Sequence, residues 1–397
     1  MKIGIKSIGP IKEANIDFHD KVVIVGGNST GKTFISILVY FLLTLPSMLS
    51  GPLKYKLELP AIEVNNEVSL EVPVSFKELI EENKDIISKR TGEGLKSVFG
   101  VNIKELIRFQ DNESVIKSDK IKIVLHGDDV DVETKIDERA NFNVTVVKIS
   151  AGFQTCSSTS GPEGKIVVIT GDRVEECLEN SLAYHSLVKF LMEPSYYPVA
   201  FLSTERIASA FYLPNLNKLI LPPVSASLGK PLIADFLKYI IPGVKFELFG
   251  HEVEVSKDFS IRVSKEEREV NPSLVSTGIY QLIPVELALR NPILRTVIIE
   301  EPEINLHVDA QIEVAKRLAN ENTKKLFITT HSEWIPMFIA KVGKTEGLRI
   351  YEIVEGVLEE RKVDEEGFVE TFKTIFPKAN KGIEELFQEV SKVSEIK

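Results

Sequence analysis

A glycine-rich run of eight residues, GGNSTGKT at positions 26–33, constrains this chain of 397 residues more than any other feature. It fits G-x-x-x-x-G-K-[ST], with Gly26, Gly31, Lys32 and Thr33 at the fixed places, directly after the apolar VVIV and directly before the apolar FISILVYF. A strand, a glycine turn and a helix in that order let the backbone of Asn28, Ser29, Thr30 and Gly31 curl into a ring of N–H donors. The helix behind it aims its positive dipole end at the same point, so the run reads as a cradle for the phosphates of ATP. Lys32 is expected to reach the β- and γ-phosphates, and the Thr33 hydroxyl to ligate Mg²⁺. The competing reading, a tight turn with an incidental lysine, is disfavoured by the two flanking elements.

Three further segments carry candidate chemistry. VIIEEPE ends an apolar strand in Glu300 and Glu301, where a parallel sheet delivers side chains to a ligand at its carboxyl edge. Glu300 is expected to hold the Mg²⁺ shell, and Glu301 to orient or deprotonate the attacking water. FITTHS places His331 after a second apolar strand, where a histidine can hydrogen-bond the γ-phosphate or the attacking water and so sense hydrolysis; read alone, it is more often a helix cap or a partly buried structural residue. LVSTGIYQL puts Ser276 and Gly278 at a helix start, which offers an anion a hydroxyl and free N–H groups or is simply an N-cap.

The pattern along the chain implies an α/β fold with a mixed central sheet flanked by helices, plus an antiparallel β lobe read from KFELFGHEVEVSKDFSIRVS. Residues 1–48 and 196–397 are expected to form a core split in sequence, and 49–195 an inserted, strand-rich and helical lobe. Within that lobe LELPAIEV, VSLEVPVSF, IKIVLHG, FNVTVVKIS and KIVVITG read as strands, and Phe76–Ser88 and Cys177–Glu193 as helices. PLIADFLKYIIPG and Ile383–Val393 read as further helices. The strongest apolar run, Phe34–Pro46, is shorter than the ~20 residues a membrane crossing needs, so no membrane association is expected. Only Cys156 and Cys177 occur, without metal-ligand spacing. Neither a disulfide nor a structural metal is therefore expected, and a reducing, cytoplasmic compartment fits. A net charge of −10 argues against a surface that is one continuous phosphate-binding field, while leaving room for a local basic groove.

Taken in order, these motifs resemble the ABC-type ATPase heads of the SMC, RecF and OLD proteins, most closely the AAA-15/AAA-21 group allied to OLD. IIEEPEINLH is similar to that group's Walker B and D-loop run, in which Glu300 takes the magnesium position and Glu301 the catalytic one, although Val308 replaces the usual proline. VSTGIYQ resembles a degenerate ABC signature carried by Ser276 and Gly278, and TTHS the switch-histidine segment with His331. FLSTERIA resembles the group's PAER segment, giving Glu205 and Arg206, the latter as a countercharge near the phosphates; Ser203 and Thr204 stand where Pro-Ala is usual. A sensing glutamine is not assigned, Gln110 and Gln154 being candidates by elimination.

The resemblance implies Mg-ATP hydrolysis and a homodimer in which each head's signature completes the other's site. It also implies work on DNA in maintenance, repair or defence. OLD proteins carry a nuclease domain after the head, whereas 66 residues follow His331 here, so any cleavage is expected from a separate nuclease or effector. The alternative is a nucleotide-dependent protein-interaction switch with no direct DNA role, motivated by the acidic charge and the inserted lobe. A transporter subunit is disfavoured by the signature and by the long separation of Gly31 from Ser276.

Overall fold

The computed structural model describes residues 1–49, 53, 55, 67–134, 136–148, 156–160, 165–170, 174–191, 195–206, 240–257 and 260–374. The expected strand LELPAIEV, the helix at 383–393 and most of the helix in PLIADFLKYIIPG lie outside them. The chain divides into two compact units, Met1–Tyr40 with Pro198–Lys397, and Phe41–Tyr197.

The first unit is built on a mixed sheet. Its strands are β1 (Lys2–Ile8), β2 (Ile11–Asp17), β3 (Lys21–Val25), β11 (Val199–Leu202), β16 (Thr296–Glu300), β17 (Lys325–Thr330), β18 (Leu348–Val354) and β19 (Val357–Arg361). In space they run β11-β16-β17-β3-β18-β19-β2-β1. The pairs from β11 through β18 are parallel, and β18 with β19 and β2 with β1 are antiparallel. Every residue of β3, β11 and β16 is buried, which is why these strands read as continuous apolar runs and do not alternate. Ile298, Ile299 and Ile328 are fully enclosed, each worth about 1.5–3 kcal/mol of transfer from water.

Register is what turns this sheet into a site. Glu300 lies opposite Thr329, and Thr330 opposite Val25, so β16, β17 and β3 end level and their following loops share one edge. Helix α1 (Lys32–Met48) leaves the glycine turn after β3. Helices α6 (Thr277–Arg290), α7 (Val308–Ala319) and α8 (Trp334–Val342) also belong to this unit. On α7 the apolar Val314, Ala315, Leu318 and Ala319 recur at helical spacing and are buried. The expected antiparallel lobe is the sheet β12-β13-β14-β15, formed by Val244–Leu248, His251–Val255, Ile261–Lys265 and Arg268–Glu269.

In the second unit β4 (Glu67–Ser75), β8 (Arg139–Lys148), β10 (Lys165–Thr170) and β9 (Cys156–Ser160) form a sheet in that spatial order, with α5 (Val174–Leu191) against it. Phe190 of α5 stacks with Phe76 and Phe142 at centroid distances of 5.0 and 6.4 Å. A meander of β5 (Glu113–Lys117), β6 (Lys122–His126) and β7 (Asp129–Glu133) adjoins α3 (Lys84–Phe99) through β7 and α4 (Ile103–Leu106) through β6. The helix expected over Phe76–Ser88 is two, α2 (Phe76–Glu82) and α3, broken at Asn83, whose side chain donates to the Leu79 carbonyl and closes the first.

One expectation is corrected here. Cys156 and Cys177 are joined in a disulfide that ties edge strand β9 to the first turn of α5, with their Cα atoms 5.6 Å apart. Nothing local in the sequence pairs two cysteines 21 residues apart; the sheet brings them together. Among the described residues no helix is long and apolar enough to cross a membrane.

Candidate active site

The 26–33 loop passes through two left-handed backbone positions, Ser29 at φ 59° and Gly31 at φ +108°. At Gly31 the dihedral alone demands glycine, and a Cβ there would run into Ile11 and Pro10. Gly27, Asn28 and Ser29 are exposed on the rim, whereas Lys32 is only 5% exposed. The Lys32 Nζ donates to the carbonyls of Gly26 and Gly27, both at 2.9 Å, and lies 3.0 and 3.2 Å from the two ring nitrogens of His331. Burial pulls its pKa down to about 8, against the upward influence of Glu301, Glu303 and Glu300.

Glu300 is 3% exposed and accepts from the Ser36 hydroxyl at 2.7 Å, while the Thr33 side chain also hydrogen-bonds it. Burial raises its pKa, and the two hydroxyl bonds oppose that rise. A hydroxyl and a carboxylate brought together at a phosphate cradle are the hard oxygen donors that Mg²⁺ takes, one or two from protein and the rest from water and phosphate. No group of three or more His, Cys, Asp or Glu able to hold a metal occurs among the described residues. Sequence reading missed Ser36, which sits one helical turn beyond Thr33 on α1.

Glu301 takes φ 46°, a conformation that non-glycine residues adopt only when their surroundings hold them. The hold is visible: its N–H donates to Thr329 O at 2.8 Å, and its own carbonyl accepts from Ile304 N–H and Arg206 Nη2. Its carboxylate, 24% exposed, meets His331 Nε2 at 3.0 Å. That hydrogen bond is the main reason its pKa lies below the ordinary glutamate value. Lys32, Glu301 and His331, from three different loops, thus converge on one spot.

Arg206 is placed differently from the expected countercharge. It is fully buried, and its guanidinium donates to four carbonyls: Gln281 (2.9 Å), Ser203 (3.0 Å), Glu300 (2.6 Å) and Glu301 (2.9 Å). Burial lowers its pKa to about 10, with Glu303 the first of the carboxylates opposing the drop. With its donors spent on backbone, the side chain clamps the acidic turn to β11 and α6 and does not face a ligand.

Ser276 is the N-cap of α6, accepting from Ile279 N–H at 3.4 Å, and is exposed. Gly278, two residues on, is buried where a Cβ would stand 2.8 Å from Leu306 Cδ2 and 3.1 Å from the Asn305 carbonyl. Gly278→Ala is therefore expected to destabilise by about 1–3 kcal/mol through overpacking, despite the roughly 1 kcal/mol that alanine adds to helix propensity. Denaturant melts decide the sign; a stabilised variant would disprove the close approach. His307 caps α7, and Val308 is its first helical residue, a position that accepts proline and valine alike. Gln110 lies on an exposed turn of the second unit at φ 74°, and Gln154 is outside the described residues. A cavity of about 340 Å³ bordered by Leu248, Phe249, Leu282, Val285, Glu286 and Arg317 contains none of the residues of this site.

Residues 226–335 match the family model AAA_15, an AAA ATPase domain. The matched stretch contains Ser276, Gly278, Glu300, Glu301 and His331. The 26–33 loop precedes that stretch in sequence and meets it at one edge of the mixed sheet, where Lys32 lies beside His331. Solved structures similar to this chain include an SMC head bound to the C-winged helix domain of ScpA (13% identity, 90% of this chain and 96% of that one, TM-score 0.37). Another is the SMC head domain of Thermotoga maritima (12%, 91% and 98%, 0.34). The recombination mediator RecF with ATPrS is a third (10%, 90% and 97%, 0.33). Those superpositions are loose and carry no weight beside the site geometry. No curated relative matches the chain.

Proposed function

We propose that this chain is an ABC-type ATPase that binds Mg-ATP in the 26–33 loop and hydrolyses it by in-line attack of water. Glu301 orients or deprotonates that water, His331 senses the γ-phosphate, and Thr33 and Glu300 hold Mg²⁺, which offsets phosphate charge. The observation that carries this reading is the convergence of Lys32, Glu301 and His331 within hydrogen-bonding distance at one sheet edge. Catalysis here is positioning and charge stabilisation: Lys32 and the loop amides face the phosphates, and Arg206 keeps the acidic turn in its strained form. Asn28, Ser29, Thr30 and Gly31 supply those amides.

The exposed Ser276 at a helix start, with Leu274 79% exposed beside it, suits a surface completed by the triphosphate of a second copy. We infer a nucleotide-dependent homodimer, acting on DNA in maintenance, repair or defence, with cleavage left to a separate nuclease or effector. The test is ATP turnover with and without Mg²⁺ and duplex DNA across a salt series. Mg²⁺-dependent phosphate release is expected, stimulated by DNA at low salt. No turnover under any condition defeats the enzymatic reading. Turnover indifferent to DNA, without binding at low salt, defeats the DNA role and leaves the protein-interaction switch.

A further inference from the structure

Glu303 lies in the turn after β16 as a buried carboxylate. It is 9% exposed, and its Oε1 accepts three hydrogen bonds: from Thr330 Oγ1 at 2.7 Å, His331 N–H at 2.7 Å and Ser332 N–H at 3.3 Å. Its Oε2 is buried with no hydrogen-bond partner among the described residues. Burial pushes its carboxyl upward, and the bonds to the 330–331 segment oppose that. An acid enclosed at such a cost, with every donor coming from one three-residue loop, is built to hold that loop.

The loop it holds carries His331, whose ring reaches both Glu301 and Lys32. The grip continues on the far side. Ser332 Oγ donates to Gln311 Oε1 at 2.7 Å, Gln311 Nε2 donates to the Leu306 carbonyl at 3.0 Å, and Leu306 is the residue against which Gly278 packs. A polar path therefore runs from the acidic turn through the histidine loop and α7 to the 305–306 turn, which packs against Gly278 at the start of α6.

We propose that Glu303 is the positioning residue of His331: by fixing the backbone of Thr330–Ser332 it stands the imidazole between Glu301 and Lys32, and Gln311 passes the loop's position to the 305–306 turn and Gly278. The proposal rests on the hydrolytic reading of Glu301 and His331 given above. Glu303 acts in this proposal through His331 alone.

Steady-state ATP hydrolysis by the full chain tests it, with fluorescent ATP-analogue binding and thermal melts alongside. Glu303→Ala is expected to lower kcat by about 100-fold while KM and analogue affinity stay within about threefold, the signature of a misplaced catalytic group and not of lost binding. Glu303→Gln keeps a carbonyl oxygen for the same three donors and is expected to restore kcat to within about tenfold of wild type. Gln311→Leu spares the acid and covers the case in which Glu303→Ala fails to fold; its kcat is expected to fall about tenfold with affinity unchanged. Folded Glu303→Ala with wild-type kcat, equal losses of kcat and affinity, or a glutamine variant as impaired as alanine each overturn the proposal. In the absence of folded Glu303→Ala, a Gln311→Leu protein with wild-type kcat does so. A wild-type protein that binds the analogue but does not hydrolyse ATP instead sinks the hydrolytic reading on which the proposal stands.

Discussion

Glu301→Gln is expected to cut ATP turnover by about 10²–10⁴-fold while nucleotide binding persists, the range that general-base contributions span. The substitution is nearly isosteric, and the amide can still hydrogen-bond His331, so the turn keeps its shape; the charge is what disappears. That charge is well supported, since the His331 hydrogen bond first, then the charges of His331, Lys32 and Arg206, hold the carboxyl ionised against burial. A variant that binds ATP and cannot discharge it should accumulate in the closed, paired form. Light scattering on Glu301→Gln with and without Mg-ATP reads this directly: a mass that doubles only with nucleotide supports paired heads, and a persistent monomer refutes them. Glu300→Gln should behave differently, losing Mg²⁺-dependent affinity, because that buried carboxylate is bound to Ser36 and Thr33 and is the metal ligand proposed above.

The parts of this architecture legible in sequence are those written in consecutive residues. β3, the 26–33 loop and α1 follow from an apolar run, a glycine pattern and another apolar run, and β16 and β17 from apolar strands ending in EE and TTHS. What escaped is long-range. Arg206 reads as a countercharge because an arginine near a phosphate site usually is one; its actual partners, the carbonyls of Gln281, Glu300 and Glu301, lie 75 to 95 residues away and exist only once β11, α6 and β16 are side by side. Glu303 and Gln311 escaped for the same reason, as polar residues amid other polar residues whose partners come from another strand's loop. The Cys156–Cys177 bond depends on a sheet edge meeting a helix, and α8, β5, β7 and β19 are short enough that their periodicity is ambiguous.

Lys32 offers the other large effect, and one with a pH signature. Lys32→Ala is expected to weaken ATP binding by about 2–5 kcal/mol, the usual cost of deleting one member of a buried charge pair, which is roughly 30-fold to several-thousand-fold in Kd. The ammonium donates to the Gly26 and Gly27 carbonyls and lies against the His331 ring, and burial lowers its pKa from 10.5 to about 8. Between those two values the unfolded chain holds a proton that the folded chain has released, so this group makes stability rise with pH across about 8 to 10.5 and contributes no slope below. Binding of a triphosphate reverses the preference, since it requires the charged form. ATP affinity should therefore be flat up to pH 8 and then fall by up to about tenfold per pH unit, because each binding event must take up a proton. Titrating a fluorescent ATP analogue from pH 7 to 9.5 against wild type and Lys32→Ala checks both halves: the decline should vanish in the variant. An affinity that stays level across that range in the wild type would mean Lys32 never meets the phosphates.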